Sequence, residues 1–163
     1  MTLNFLSSPE PLGDAHDLFE FSCGEKTLDD WLRSRALKNE VRGASRTYVV
    51  CEEKKVVAYY TLAVGSVDHA FSPAFIKRNM PDPVPVMIIA RLAVDQRYAG
   101  QHLGSLLLQD AFHRTIRAAH IAGIKALMVH ALHHKAAEFY TRWGFRASVT
   151  DPLRLYFPLT KPM

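Results

Sequence analysis

Ala90–Asp95 (ARLAVD), Gln96–Gly104 (QRYAGQHLG) and Ser105–Phe112 (SLLLQDAF) form the stretch on which the fold turns. The first part ends a run from Val86 to Asp95 (VMIIARLAVD) that is apolar at nearly every position. Such a run reads as a central strand buried on both faces. The third part opens a helix over Gly104–Ala119, with Leu107, Leu108, Ala111, Phe112, Thr115 and Ala119 on one stripe. Between them lies a loop with two glycines, Gly100 and Gly104. A strand that runs through such a loop into a helix N-terminus aims main-chain N–H groups at one point, which suits an anion. Taken alone, a glycine pair before a helix is more often a simple turn.

Upstream, Thr2–Leu6 can form a short first strand. Leu28, Trp31, Leu32 and Ala36 have helical spacing, with Thr27 as the expected N-cap, Asp29 and Asp30 in the first turn, and Gly43 at the end. Arg46–Cys51 (RTYVVC) and Val56–Gly65 (VVAYYTLAVG) read as a hairpin turning at Lys54–Lys55. A loop bordered by Pro73, Pro81, Pro83 and Pro85 follows, with a helical turn at Ala74–Arg78. Downstream come a strand at Ala126–Ala131, a helix at His134–Trp143 closed by Gly144, and strands at Phe145–Val149 and Leu153–Leu159. Strands first, then helix alternating with strand, predict an α/β (α+β) class with a mixed sheet flanked by helices. Residues 1–163 are expected to form one domain.

Composition narrows the class further. Hydrophobic residues make up 48% and charged residues 22% of 163 residues, which is ordinary globular usage. Cys23 and Cys51 are too few for a disulfide framework or a structural zinc site, so both are expected as reduced thiols. His102, His113, His120, His130, His133 and His134 lack a carboxylate or cysteine partner at ligand spacing on one element, so no metal is expected. Met1–Leu12 does not resemble a signal peptide and no run is long enough to span a bilayer, so a cytoplasmic location without membrane contact is expected. The formal charge of +4 permits an anionic partner without requiring one.

A second stretch decides what the loop is for. Some thirty-five residues after it stand a strand and then Ala136–Phe145 (AAEFYTRWGF). The two together, in this order and separation, resemble the GNAT acetyltransferase superfamily. More narrowly, FSCGEKTLDDWL from Phe21, RTYVV from Arg46, Arg78–Asn79 before MPDPVPV, ARLAVD and MVHAL resemble the GNAT toxins of bacterial toxin–antitoxin modules. The likeness runs from about Phe21 to Phe157.

The resemblance implies a GNAT fold, with a mostly antiparallel sheet, and acetyl-CoA as donor. It implies that Leu92, Ala93 and Val94 present main-chain groups to the pantetheine arm. The pyrophosphate would lie against Ala99, Gly100, Gln101, His102, Leu103, Gly104 and Ser105. Tyr140 would donate a proton to the coenzyme sulfur. His133 stands where many members carry an asparagine that contacts the cofactor. Two positions depart from the usual loop pattern: Ala99 replaces Gln or Arg, and His102 replaces a glycine, although a bulky residue resists positive φ. The narrower resemblance implies acetylation of the α-amino group of aminoacyl-tRNA, a homodimer, and a ribbon-helix-helix antitoxin that also contacts operator DNA.

Basic residues bear on the acceptor. Arg35, Lys38 and Arg42 fall on one helix face, Arg46 is near, and only Glu40 opposes them; Lys77, Arg78 and Arg142 add charge elsewhere. These seven are the candidate nucleic-acid contacts. No strong base is evident; Asp95 and Glu138 fit capping or surface roles better. An α-amine has a pKa near 7.7–8.0, against about 10.4 for lysine, so an α-amine acceptor needs little help to lose its proton. The alternatives are a GNAT acting on a small amine or protein N-terminus, and a non-catalytic domain that binds acetyl-CoA.

Overall fold

The computed structural model describes residues 5–159. It contains strands β1 (Glu10–Pro11), β2 (Arg46–Glu52), β3 (Lys55–Val67), β4 (Val84–Val94), β5 (Ala126–His130), β6 (Arg146–Ala147) and β7 (Arg154–Pro158). They form one sheet in the order β1-β2-β3-β4-β5-β7-β6. β4 and β5 run parallel, whereas β1–β2, β2–β3, β5–β7 and β6–β7 are antiparallel. The helices are α1 (Lys26–Trp31), α2 (Leu37–Arg42), α3 (Ala74–Lys77), α4 (Leu103–Ala119) and α5 (His134–Arg142). A mixed, mostly antiparallel sheet with helices is therefore what the alternation of patterns produces.

The chain divides into two compact units, residues up to 63 with 90–111, and 64–89 with 112 onward. In the first, α1 and α2 are joined by a π-helical turn, Leu32–Ala36. Leu32 and Ala36 are wholly buried and meet Phe21, Val49, Val56, Tyr59 and Ala93 in a shared core. In the second, Ile76 of α3, Val84 and Val86 of β4, Ala126 and Met128 of β5, and Tyr156 of β7 form another core.

Several expectations shift. The helix starts at Lys26, not after Thr27. Its N-cap is the extended Glu25, and the buried Asp29 carboxylate instead accepts from the Cys23 N–H at 2.9 Å. Gly43 ends α2 in the left-handed region, φ 74°, as anticipated. The expected strand at Thr2–Leu6 lies outside the described residues except for Phe5 and Leu6, and Leu6 forms a single bridge to Glu52. The strand expected over Phe145–Val149 is only Arg146–Ala147.

One difference matters for the site. β4 is not buried along its whole length: Val84–Ile89 is mostly covered, but Ala90 is exposed and Arg91, Leu92 and Val94 are partly so. Pairing with β5 runs from Val86↔Ala126 to Ile89↔Val129 and stops there. Ala90–Val94 continue past the last residue that pairs with β5.

Candidate functional site

The loop after β4 is held by hydrogen bonds along Asp95–Ala99. Asp95 is fully buried. Its carboxylate accepts from the N–H of Ser22 (3.1 Å) and of Arg97 (2.9 Å) and from the Arg97 guanidinium (3.0 and 2.9 Å). Burial works to raise the Asp95 pKa, but Arg97 and the two N–H groups outweigh it and hold the carboxyl below the usual range. Asp95 is thus a cap and tether whose two oxygens are already engaged, in keeping with the capping role expected of it. Gln96 N–H donates to Ser22 O (2.9 Å), and the buried Tyr98 hydroxyl donates to Glu52.

Beyond this anchored turn the chain bends twice into the left-handed region, at Gly100 (φ 78°) and at His102 (φ 63°). The loop therefore does need positive φ where the histidine stands, and a side chain accepts it. A non-glycine residue there carries on the order of 1 kcal/mol of strain. His102 O accepts the N–H of Leu106 at 3.1 Å, so α4 begins immediately. The N–H groups of Leu103, Gly104 and Ser105 then have no carbonyl one turn back and lie at the positive end of a helix dipole. Leu103 is buried and fixes the helix end, while Ala99, Gly100 and His102 are exposed. Diphosphate chemistry fits this arrangement: small residues, main-chain donors and no carboxylate that is not already engaged.

Leu92, Ala93, Val94 and Ala99–Ser105 all belong to the first unit, along with Arg35, Lys38, Arg42 and Arg46. Ala93 is 5% exposed with its side chain in the core, so its main chain is what it can offer a ligand.

Tyr140, His133, Lys77, Arg78 and Arg142 belong to the second unit. Tyr140 is buried on α5, with ring contacts to Phe139 (5.2 Å) and Phe145 (5.5 Å). Burial pushes its phenol up from its ordinary value, so it stays protonated throughout the neutral range. His133 caps α5, its Nδ1 accepting from Ala136 N–H at 3.1 Å. An asparagine could give a helix start the same service. Glu138 is exposed and lines a shallow groove with Arg142 on the outer face of α5, away from the buried face that carries Tyr140.

The cations do not act alike. Arg35, Lys38 and Arg42 are exposed, but the groove along this face is lined by Arg33, Ser34, Leu37, Lys38, Val41 and Arg42. The π-helical turn spaces residues more widely than the regular count of 3.6 assumed, and Arg35 falls outside the groove. Arg46 donates to Glu40 O (2.8 Å) and pairs with its carboxylate (3.6 Å), so it closes the α2–β2 junction. Lys77 donates to His69 O (3.2 Å), whereas Arg78 is exposed.

Sequence spacing missed the Arg91 guanidinium, which lies 4.1 Å over the Trp31 ring; Trp31 in turn stacks on Tyr59 (6.2 Å). It also missed Glu10, His16 and Cys51, whose ligand atoms lie within 4.8 Å of one another. These three come from separate segments, so no linear motif marks them. Their chemistry is not that of a metal site. Gly13 N–H donates to His16 Nδ1 (2.9 Å), so the ring proton sits on Nε2, which donates to Glu10 (2.9 Å). No lone pair remains on the His16 ring for a cation. Burial and Glu10 also push the Cys51 thiol up to about 12, away from the thiolate a metal needs. Both cysteines are free.

Residues 43–147 match the acetyltransferase (GNAT) domain family. A "tRNA-acetylating toxin" of Mycobacterium tuberculosis (strain ATCC 25618 / H37Rv) is 52% identical over 91% of this chain and 90% of its own length. The solved structure of AtaT complexed with acetyl-methionyl-tRNAfMet superposes with a TM-score of 0.85, at 30% identity over 94% of each chain. A tyrosine-to-phenylalanine mutant of AtaT, bound to the C-terminus of the antitoxin AtaR and to acetyl-CoA, gives 0.83 at 30% identity over 95% of this chain and 94% of its own.

Proposed function

We propose, from the premise that this chain belongs to the GNAT acetyltransferase family, that it is the toxin of a type II toxin–antitoxin pair. It transfers the acetyl group of acetyl-CoA to the α-amine of aminoacyl-tRNA and so stops translation. The observation that carries the reading is the tethered loop from Asp95 to His102, which turns twice through positive φ and delivers the start of α4 as a bare set of N–H donors. The near relative that acetylates tRNA supports the acceptor.

Each residue then has a task. Main-chain groups of Leu92, Ala93 and Val94, past the last β5 partner, bind the pantetheine amides. Ala99–Ser105 hold the pyrophosphate. Tyr140, kept neutral by burial, gives its proton to the departing thiolate. The α-amine of an aminoacyl ester is partly neutral at physiological pH and attacks without a dedicated base. Residues 1–163 act as one catalytic domain, in a homodimer, in the cytoplasm where charged tRNA is found. A ribbon-helix-helix antitoxin silences the enzyme and carries the pair to operator DNA. Among the described residues no helix is long and apolar enough to cross a membrane.

The direct assay is transfer of labelled acetyl from acetyl-CoA to charged tRNA. Tyr140→Phe should fold, bind acetyl-CoA and lose at least tenfold in turnover, consistent with the usual worth of a general acid. Undiminished turnover in that variant would take the proton donor away from Tyr140. Absence of label on the aminoacyl group in the wild-type enzyme, with transfer to spermidine or a peptide amine instead, would install the small-amine reading.

A further inference from the structure

The second unit holds a cleft of about 760 Å³ between the segment around α3 and the β6–β7 loop. Arg78, Lys125 and Arg146 all line it, and among the described residues no carboxylate does. None of the three has an ion-pair partner among the described residues, although the chain carries 16 acidic side chains. The Arg146 guanidinium is held 3.8 Å over the Phe75 ring, which fixes its position without neutralising it. Ser72, 7% exposed, also lines the cleft, and its buried hydroxyl has no hydrogen-bond partner among the described residues. A buried hydroxyl without a partner is uncommon in a folded protein. Beside it Phe71 stands 65% exposed, a large aromatic face left in water.

Unpaired cations and an open aromatic ring are the parts of a site for single-stranded nucleic acid, where phosphates take the cations and a base stacks on the ring. Duplex alone would leave Phe71 without a role, because paired bases offer no free face. We propose that this cleft binds the unpaired 3′ end of the acceptor tRNA, with Lys125, Arg146 and Arg78 on its phosphates and Phe71 under a base. The proposal rests on the reading that the acceptor is aminoacyl-tRNA.

The test compares three probes by fluorescence anisotropy: uncharged tRNA, the same tRNA cut back by its last four nucleotides, and a 5′-phosphorylated four-nucleotide ACCA strand. The full chain is used as wild type, Lys125→Glu/Arg146→Glu and Phe71→Ala. Both variants should keep the acetyl-CoA thermal shift, which also reports that they fold. The double variant should bind intact tRNA at least tenfold more weakly and show a salt slope shallower by about 2, one for each phosphate no longer neutralised. Phe71→Ala should weaken binding about fivefold or more, within the range for removal of one stacked base. Truncated tRNA should bind all three proteins alike. Unchanged affinity for intact tRNA in the double variant, or equal weakening on intact and truncated tRNA, would overturn the proposal. So would unchanged RNA binding with failure of antitoxin capture, which would hand the cleft to the protein partner. If wild type acetylates charged tRNA while the cleft variants do so equally well, the cleft proposal fails and the function stands. If wild type acetylates no charged tRNA yet binds the ACCA strand through Arg146, the function fails and the cleft keeps its ligand.

Discussion

His102 is where side-chain chemistry and main-chain demand conflict most openly. The position takes φ 63°, a conformation glycine adopts freely and a β-carbon resists. Replacing it by glycine should relieve about 1 kcal/mol of strain. Part of that gain is offset by the greater freedom of glycine in the unfolded chain. The expected result for His102→Gly is a Tm higher by about 1–2 °C in a chain of this size. Acetyl-CoA should bind equally well or more tightly, because the main chain can come closer to a phosphate. A calorimetric scan with and without acetyl-CoA measures both, and a lower Tm together with weaker binding would show that the imidazole contributes something glycine cannot. The sequence located this residue but not its geometry, because a departure from a loop pattern leaves open whether the backbone or the pattern gives way. Tyr140 was legible as a helix residue before Gly144; its burial was not, since a nine-residue helix reveals its covered face only when its neighbours are placed.

At the scale of elements, the tether at Asp95 sets the loop. Asp95→Asn keeps the shape but loses the charge shared with Arg97, and should cost about 2–3 kcal/mol, the worth of hydrogen bonds to charged groups. The sign with pH follows from the lowered pKa. A carboxyl held below its unfolded value stabilises the fold above roughly pH 4, and that stabilisation is lost as pH falls through the folded pKa. Wild type should therefore lose stability as pH falls below the ordinary aspartate range, and the Asn variant should lose less over the same fall in pH. Urea midpoints across that range decide it; parallel pH profiles for the two proteins would contradict the assignment. Most elements were readable from periodicity and glycine placement: β2, β3, α4, α5 and β7 fall within a few residues of expectation. What escaped was set by partners distant in sequence. The start of α1 lies at Lys26 with the extended Glu25 as N-cap, ahead of the expected Thr27 cap, while Asp29 stands in the first turn as expected and also accepts from the Cys23 N–H. A π-helical turn at Leu32–Ala36 leaves no mark in an apolar count and rotates the basic face beyond it. β4 read as uniformly buried because Leu92, Ala93 and Val94 are as apolar as Met87 and Ile89, though no β5 residue pairs with them.

For the molecule as a whole, the pertinent quantity is charge. A formal +4 is modest, but Arg35, Lys38 and Arg42 are exposed, and in the second unit three further cations line one cleft without a counter-ion among the described residues. If the acceptor is a polyanion, kcat/KM on charged tRNA should fall at least tenfold between 50 and 200 mM salt, while transfer to a short uncharged amine barely changes. Reversal of charge at Arg35 and Lys38 should weaken tRNA binding and leave acetyl-CoA binding intact; Lys38→Glu should have the larger effect, because Lys38 lines the groove and Arg35 does not. Rates on tRNA that ignore salt would argue for a small acceptor.

If the end of β4 beyond its last β5 partner binds the donor as proposed, there is a further consequence for anyone who would inhibit such an enzyme. A compound that copies the donor's amides there would be read by peptide groups common to every residue except proline. Point mutations at Leu92 or Val94 would alter the flanks of that recognition and leave its polar atoms in place. Resistance would have to come from a proline or from bulk at Ala93, and either change should also exclude acetyl-CoA and silence the toxin.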